Sequence, residues 1–413
     1  MSEPSIRKGI LWNAGGNVLY LAAQWIVTVM VTRISGFEDA GILSGAMSIS
    51  ATIQTVALFG VRNFQVSDVR DEFSNSTYFN LRNITCSASL IICILFSIFG
   101  NYSLTQLVAI LFYMIFRIAE SYTDVLSGIA QRNNRLDIVG VSLAIKGVLV
   151  LVCFFGGYYA FSSLNAGLGL MALSSCLSTV LYDYVAVKRL SSFRLTDSFK
   201  KSMSLAKKVY PLCIYMFLFT SITSAPKLIL ESMTANELLG AYSSIFAPAT
   251  LIQTATGYIY NPFATMFALD FKNNKFKSAV RNIIKIALIM LAIALVTLLG
   301  AHFFGEFAFK LVFGEGILEY SYLINPIIIS TILLSFLGFL CMVEIVVRDF
   351  VGIIVGCGVG AFSAGVLSFI MINRFSAQGT SYAIIIATSA AIIITAASLA
   401  RKIYIMKSKQ TQE

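Results

Sequence analysis

The chain has 413 residues, of which 57% are hydrophobic and only 12% are charged, and its formal net charge is +10 at pH 7. Soluble domains carry about 25% charged residues, so this composition excludes a chain whose whole surface faces water. The apolar runs are also too long for the alternating strands of a membrane β-barrel. Composition therefore predicts an all-α integral membrane protein.

Apolar segments long enough to span a bilayer recur along the whole chain. A spanning helix needs about 20 mostly apolar residues. The twelve candidate segments are 9–32, 40–66, 82–100, 104–130, 138–161, 163–187, 209–231, 238–269, 279–304, 320–347, 350–373 and 380–404. The segment 238–269 is longer than one span requires and contains Pro248 and Pro262, so we expect it to be tilted or broken.

The basic residues alternate in density between the two sides of these segments. With the N-terminus placed in the cytoplasm, 25 of the 30 Lys and Arg fall on the inner side and three on the outer side. The inner group includes Arg7, Arg70, Arg82 and Lys146. This asymmetry follows the positive-inside rule. It predicts twelve spans with both termini cytoplasmic, and it argues against nucleic acid as the reason for the positive charge.

A weak internal repeat divides the chain into halves. Glu38–Phe64 recurs 199 residues later as Glu237–Phe263, without a gap and with 7 identities in 27 positions. Each copy is the second apolar segment of its half. We therefore predict two parallel six-helix repeats, 1–187 and 209–413, around a central cavity. Secondary transporters are often built in this way.

A basic linker, 188–208, joins the two predicted halves. It contains seven Lys and Arg together with Phe193, Leu195 and Phe199. This mixture predicts a segment that lies on the inner membrane surface, and a solvated linker is the alternative.

Residues that would support metal, nucleotide or hydrolytic chemistry are scarce. His302 is the single histidine, no CxxC occurs, and no Walker motif precedes a helix. These observations argue against a metal centre, a nucleotide site and Ser/His/Asp catalysis. We predict a non-enzyme without cofactors.

Polar residues form narrow stripes on several predicted helices. Successive helical residues advance by 100°, so residues three, four and seven apart share a face. Such stripes should face a wet cavity or hydrogen-bond to other helices, and both interpretations stay open. The predicted cavity-lining residues are Asn13, Asn17, Gln24, Ser48, Thr55, Thr254 and Asn261.

Arg117 lies at the midpoint of the segment 104–130. A central arginine costs about 2.5–3.5 kcal/mol on insertion scales. Glu120 and Asp124, one and two turns further on, can offset this cost. The group is either a structural ion-pair network or a substrate or ion site. Because a desolvated carboxylate can bind a proton or Na⁺, Asp124 and Glu120 are candidates for ion coupling.

Other charges lie near the ends of predicted spans. Lys227 is near an outer end, and Arg62, Asp183 and Glu344 are near inner ends. Long side chains at such positions can reach the interface without entering a site. Glu344 can also pair with Arg348, four residues later.

Ordered short motifs accompany these charges in both halves. They are Lys8-Gly9 with Asn13, Thr32-Arg33 with Gly36 and Gly41, Arg62–Asp68, Pro226-Lys227, Gly240-Ala241-Tyr242, Pro248 and Asn261-Pro262. Their order resembles bacterial polysaccharide flippases of the polysaccharide-transport family, within the multidrug/oligosaccharidyl-lipid/polysaccharide exporter superfamily. The chain departs from many members at Ala40, where they have an aromatic residue.

The resemblance implies a substrate and a place in the cell. The substrate is an oligosaccharide repeat unit on undecaprenyl pyrophosphate, flipped from the inner to the outer leaflet of the bacterial cell membrane for O-antigen, capsule or exopolysaccharide synthesis. Implied partners are membrane lipids, a polymerase and glycosyltransferases. It also implies a cationic cavity, which Arg117, Lys227 and Arg62 match. Arginine suits this substrate because it binds phosphate through charge-assisted, often bidentate hydrogen bonds.

Two other functions remain as alternatives. A multidrug antiporter that exports organic cations should have an acidic cavity, and Arg117 argues against it. A membrane-embedded polysaccharide polymerase should have a large outer loop, and the outer loops here are short.

Overall fold

A computed structural model of the chain describes residues 6–68 and 71–410. The described part is helical with short connections and contains no strand, which confirms the all-α prediction. Arg70 and both extreme termini, which the sequence assigns to the cytoplasmic side, lie outside the described residues, as does the side chain of Arg7. The chain divides into two compact units, Met1–Phe217 and Leu218–Glu413.

Nine α-helices begin in the first unit, and the last of them crosses the boundary between units. They are α1 Ile6–Ser35, α2 Phe37–Leu58, α3 Val61–Ser67, α4 Asn75–Phe99, α5 Leu104–Arg132, α6 Leu136–Phe161, α7 Leu164–Ser178, α8 Val185–Lys188 and α9 Phe199–Met233. A π-helical turn, Thr179–Tyr184, joins α7 to α8.

The second unit continues with six further α-helices. They are α10 Asn236–Tyr260, α11 Ala264–Lys272, α12 Phe276–Phe313, α13 Ile324–Val346, α14 Phe350–Phe375 and α15 Ala377–Gln410. Two 3₁₀ segments, Asn261–Phe263 and Glu315–Leu323, lie between them.

Within the described part of the chain, 11 helical segments are long and apolar enough to cross a membrane. The twelfth predicted span corresponds to α10, which is 25 residues long. It is less apolar because it carries polar residues such as Ser243, Ser244 and Gln253 along its length. The chain is therefore a multi-pass membrane protein.

The second helix of each half is broken close to its end. In the first copy, α2 stops at Leu58, and Phe59 and Gly60 have left-handed backbones with φ of 50° and 66° before α3 begins. In the second copy, the 3₁₀ turn Asn261–Phe263 separates α10 from α11. Pro262 cannot donate to the helical hydrogen-bond ladder, so the predicted break in 238–269 is confirmed. The helix passes through Pro248 without interruption.

Helices α1 and α6 approach each other closely where two glycines meet. A Cβ atom added to Gly16 would lie 2.7 Å from the carbonyl carbon and 2.8 Å from the Cα of Gly140. These are backbone atoms, so they cannot move aside as a flexible side chain would. Only glycine at both positions permits this close crossing of α1 and α6.

We expect Gly16→Ala to destabilise the protein, because overpacking at a rigid backbone contact costs about 1–3 kcal/mol. Gly15→Ala is the matched control, since no atom lies within 4 Å of a Cβ at Gly15. That control should be neutral, or stabilising by up to about 1 kcal/mol through helix propensity. Thermal unfolding of the purified variants in detergent measures both effects. Equal stability of the two variants would contradict the contact.

The small residues of α14 pack against α15 in a similar way. A Cβ at Gly352 would approach Ser398, one at Gly356 would approach Thr395, and one at Gly360 would lie 3.0 Å from Ala391. The spacing of four residues between these glycines therefore allows α14 and α15 to pack closely.

The linker is docked on the first unit and is partly helical. Phe193 is buried against Phe79 and Tyr184, and residues 199–208 belong to α9. The Asp197 carboxylate accepts hydrogen bonds from the Thr77 hydroxyl at 2.5 Å and the Ser198 amide at 2.7 Å. The hydrogen bond from Thr77 holds the pKa of Asp197 below its usual range. These contacts fix residues 189–198 on the start of α4.

Candidate functional site

A polar cavity of about 520 Å³ lies within the first unit, among α1, α2, α3, α5 and α6. Its walls bring together residues from five helices that are far apart in sequence. Its polar lining residues are Asn13, Asn17, Tyr20, Gln24, Gln54, Arg62, Arg117, Glu120, Thr123, Asp124, Ser127 and Lys146. We refer to it as the polar cavity.

Arg117 and Glu120 form an ion pair on one wall of the polar cavity. Arg117 Nη1 donates to Glu120 Oε2 at 2.6 Å, and its Nη2 donates to the Tyr113 hydroxyl at 3.2 Å. The other Glu120 oxygen accepts from the Tyr20 hydroxyl and from Gln24 Nε2, the latter at 3.2 Å. Glu120 therefore offsets much of the cost of placing Arg117 in the membrane.

Arg117 also has an aromatic setting. Its guanidinium carbon lies 5.1 Å from the ring centre of Tyr113 and 5.7 Å from that of Phe116. These cation–π contacts hold the planar group in one orientation. Its Nε is buried without a hydrogen-bond partner among the described residues. Nη1 and Nη2 each carry a second N–H beyond those that bond to Glu120 and Tyr113, so the guanidinium keeps donor capacity.

Asp124 pairs with two other arginines and not with Arg117. Its Oδ2 lies 2.7 Å from Arg82 Nη2, and its Oδ1 lies 3.5 Å from Arg62 Nη1. The Arg82 side chain is fully buried and also donates to the Ala57 carbonyl. The Arg62 side chain is 33% exposed. The expected pairing of Arg117 with both carboxylates is therefore replaced by two separate ion-pair groups.

Lys146 forms a third group in the wall of the polar cavity. Its Nζ lies 2.9 Å from Asp183 Oδ2 and donates to the hydroxyls of Thr123 and Thr179. Both charged side chains are almost completely buried. Asp183 lies in the π-helical turn, a distortion that often marks functional positions. A snorkelling role for Asp183 is therefore wrong, because it faces the helix bundle.

Counting the pairs gives the charge of this region. Four cations, Arg62, Arg82, Arg117 and Lys146, face three carboxylates that belong to Glu120, Asp124 and Asp183. One positive charge is in excess. Arg62 best carries this excess, because it shares Asp124 with Arg82, lies further from it and is the most exposed member.

The charge pattern assigned Arg82 and Lys146 to the inner side, so their roles in the ion-pair groups were not predicted. Their positions in the sequence could have revealed these roles. Lys146 lies eight residues inside the apolar segment 138–161, and Arg82 is the first residue of the segment 82–100. A charge inside a span is expected to face the bundle and find a partner.

The remaining predicted residues fall into two groups. Ser48 and Thr55 on α2 are buried outside the lining of the polar cavity, and the Thr55 hydroxyl donates to a backbone carbonyl on its own helix. Thr254, Asn261 and Lys227 belong to the second unit. The Thr254 hydroxyl likewise donates to its own helix, at 3.0 Å.

Lys227 makes a different contact from the one that its position suggests. Its Nζ lies 3.7 Å from the centre of the Phe246 ring. Among the described residues it has no carboxylate partner within salt-bridge distance. A cation–π contact can offset part of the cost of a desolvated ammonium group. Its role in substrate binding stays a prediction.

An apolar groove of about 570 Å³ runs along the other side of the Lys146 group. It is bounded by α4, α5, the π-helical turn and the linker residue Leu195. Thr179 lines this groove and Thr123 lines the polar cavity, and Lys146 bonds to both hydroxyls. One layer of side chains therefore separates a polar cavity from an apolar groove.

The comparison with curated proteins finds a relative in capsule synthesis. The chain is 24% identical over 400 residues to the capsular polysaccharide biosynthesis protein CapF of Staphylococcus aureus, and the match covers 91% of this chain and 95% of CapF. No family model matches the chain.

Solved structures decide the fold. The lipid II flippase MurJ in its inward closed conformation superposes with a TM-score of 0.71 at 13% identity, over 96% of this chain and 90% of that one. A MATE transporter in its bent conformation superposes with a TM-score of 0.63 at 13% identity, over 99% of this chain and 98% of that one. The chain has the fold of the MOP superfamily of transporters. The resemblance drawn from the sequence motifs is confirmed, and the structural neighbours of this MOP-fold chain are transporters and not enzymes.

Proposed function

We propose that the protein flips an oligosaccharide repeat unit linked to undecaprenyl pyrophosphate from the inner to the outer leaflet, for cell-surface polysaccharide synthesis. The observation that carries this proposal is the polar cavity, which is lined by Arg62 and Arg117 and whose ion-pair groups contain one more cation than carboxylates. The relation to CapF supports a role in polysaccharide synthesis, and the fold shared with MurJ supports a lipid-linked substrate.

Arg62 and Arg117 suit the pyrophosphate of such a substrate. A pyrophosphate cannot enter hydrocarbon alone, and arginine offers it planar, bidentate, charge-assisted hydrogen bonds. Arg62 is the more exposed of the two, so it makes the first contact, and Arg117 receives the head group deeper in the cavity. The amides of Asn13, Asn17 and Gln24 supply neutral donors and acceptors for sugar hydroxyls.

The lipid chain of the same substrate needs an apolar path beside the head group. The apolar groove offers one, because it is separated from the polar cavity only by the Thr123, Thr179 and Lys146 layer. In this arrangement the head group crosses the membrane in the polar cavity, and the isoprenoid stays in contact with apolar side chains. Alternating exposure of the cavity to the two sides completes the transport cycle.

The same proposal includes the orientation of the protein in the membrane. The charge pattern supports cytoplasmic termini, with the linker on the same side, and the proposed substrate implies the membrane of a bacterial cell. Reporter fusions after Lys208 and after Asn101 test this orientation, and a cytoplasmic result at Asn101 would overturn it.

The proposed function also implies partner enzymes. Glycosyltransferases supply the substrate, and a polymerase consumes it.

A multidrug antiporter role has less support. The fold fits it, since MATE transporters superpose well. Glu120 and Asp124, however, are each bound by an arginine, so the polar cavity has no unpaired carboxylate to attract an organic cation. A polymerase role has less support still, because the connections after α4 and α6 are only a few residues long.

Transport by the purified protein tests the proposal. The full chain is reconstituted into vesicles that contain a fluorescent undecaprenyl-pyrophosphate oligosaccharide, and a membrane-impermeant reductant quenches the outer leaflet. We expect quenching beyond the half that protein-free vesicles show. A fluorescent phosphate-free lipid of similar chain length is the control and should not flip. Efflux of organic cations without flipping of the sugar lipid would reverse the assignment.

A further inference from the structure

Glu344 on α13 is a buried ionisable residue that forms no salt bridge with a described cation. Its side chain is fully buried, and neither carboxyl oxygen has a hydrogen-bond partner among the described residues. The i+4 pairing with Arg348 expected from the sequence is wrong. Arg348 lies past the end of α13, with φ of 56°, and its side chain is exposed. The helix therefore ends before Arg348 can share a face with Glu344.

The surroundings of Glu344 are tight and poor in donors. A Cβ added to Gly352 on α14 would lie 2.7 Å from Glu344 Oε1. On α15, the Ser398 hydroxyl donates to Asp349 Oδ2 at 3.0 Å and is thus engaged elsewhere. Val343, Val347 and Leu399 belong to the apolar cluster around this end of α13.

The charged group nearest to Glu344 repels it. Asp349 follows at the start of α14, where its Oδ1 accepts from the Gly352 amide at 3.3 Å and its Oδ2 accepts from Ser398. α14 and α15 present Gly352 and Ser398 to the Glu344 carboxyl, and α13 itself adds apolar neighbours. No described cation forms a salt bridge with Glu344.

An ionised carboxylate in such a place is costly. Burying a charge without a partner costs several kcal/mol, and such a group is neutralised instead. When two carboxyls share a site, one of them holds a proton. Asp349 accepts from the Gly352 amide and the Ser398 hydroxyl, whereas the one donor near Glu344 is that same Ser398 hydroxyl, so Glu344 is the neutral member of the pair.

We propose that Glu344 is a proton-binding site. The carboxyl holds a proton in this conformation and releases it when the turn between α13 and α14 opens to water. Asp349, whose carboxylate accepts from Ser398, repels an ionised Glu344 and so favours the bound proton while the site is closed. The proton binds and leaves as H⁺ at one carboxyl oxygen, so no other reactant is needed.

A metal cation fits this site less well. Hard cations bind to about six oxygen ligands, whereas the oxygen side chains recorded beside Glu344 are those of Asp349 and Ser398. No group of three or more His, Cys, Asp or Glu side chains suited to a metal occurs among the described residues. The proton is the ligand that needs only one oxygen.

Infrared spectroscopy of the purified full-length protein tests proton binding directly. A protonated carboxylic acid has a carbonyl stretch separate from those of a carboxylate. At neutral pH we expect this band in the wild type and in Asp349→Asn, and we expect its loss in Glu344→Gln, which keeps shape and neutrality. The proposal is overturned if the wild type lacks the band or if Glu344→Gln keeps it.

A second measurement addresses the use of the proton, and this part rests on the proposed transport function. In the vesicle assay, a pH difference of one unit can shift substrate accumulation by up to tenfold if one proton is coupled. We expect such a shift in the wild type and none in Glu344→Gln, which should still flip the lipid without a gradient. Equal responses of the two proteins would overturn coupling through Glu344. Absence of flipping in the wild type would count against the proposed function, and the infrared result would still decide the proton site.

Discussion

Substitution of Arg117 by alanine is expected to abolish polysaccharide export. Arg117 is the arginine that pairs with Glu120 at 2.6 Å in the wall of the polar cavity. Loss of charge-assisted hydrogen bonds to a phosphate costs about 1.5–3 kcal/mol each, so loss of two bonds weakens binding by about 100-fold or more. Export of the polysaccharide in a deletion strain that expresses the variant measures the effect.

Different substitutions of Arg117 should reduce the export activity to different degrees. Arg117→Lys keeps the charge but loses the planar fork, so it should retain part of the activity. Arg117→Glu reverses the charge and should be inactive even at high expression. Protein abundance in the membrane is measured for every variant, because a loss of export means binding only where the protein is present.

If Arg117 has only a structural role, its substitution should lower the abundance of the protein. Removing one partner of a buried ion pair costs about 3–5 kcal/mol, so Arg117→Ala would strand Glu120 and lower abundance. The double variant Arg117→Gln with Glu120→Gln removes both charges and separates the two roles. Tyr20 and Gln24 can still hydrogen-bond to a neutral residue 120. We expect the double variant to insert normally and to export nothing.

Normal export by the double variant would show that Arg117 does not bind substrate. Asp124→Asn is not needed in this test, because Asp124 belongs to the Arg82 and Arg62 group. The predicted coupling roles of Glu120 and Asp124 can be examined separately, by measuring flipping with Asp124→Asn in vesicles with and without an ion gradient.

Substitution of Arg62 is expected to reduce flipping strongly, and substitution of Arg82 is the matched comparison. Both contact Asp124, but the Arg62 side chain is 33% exposed and the Arg82 side chain is fully buried. Arg62→Gln leaves the 2.7 Å pair of Arg82 and Asp124 in place. Its effect on stability should therefore be no more than about 1 kcal/mol. It removes the excess cation of the polar cavity, so we expect flipping to fall by about 10- to 100-fold.

Arg82→Gln should have the opposite pattern. It removes the buried partner of Asp124 and the donor to the Ala57 carbonyl. A loss of about 3–5 kcal/mol is a large part of the stability of a folded protein, so the membrane abundance of this variant should fall. The flipping rate per folded molecule should change less than in Arg62→Gln. Unchanged flipping by Arg62→Gln, at normal abundance, would place the anion contact elsewhere in the cavity.

These contrasts follow from how the charges are paired. Each carboxylate of the polar cavity region has a cation within 3 Å, and the extra cation is the one nearest to the open space of the cavity. A site of this kind folds with its charges balanced and still attracts an anion. In the second unit, by contrast, no described cation pairs with Glu344, and we propose that a proton neutralises it.

Local sequence determined much of the fold and part of the polar cavity. Long apolar runs predicted the helices, because backbone groups in hydrocarbon must be paired within the segment. Pro262 predicted the break after α10. Arg117 and Glu120 could be paired from sequence because residues three apart on a helix are neighbours. The stripe on α1 likewise placed Asn13, Asn17 and Gln24 on the face that lines the polar cavity.

Contacts between helices were decided only by the tertiary structure. Arg82 meets Asp124 across 42 residues, and Lys146 meets Asp183 across 37. Helical periodicity gives the face on which a residue lies, but it does not give the helix that will cover this face. Close contacts between helices, such as that of Gly16 with Gly140, determine which helices pack together. The isolation of Glu344 has the same origin, since the end of α13 and the approach of α14, not the i+4 spacing, decide which groups reach its carboxyl.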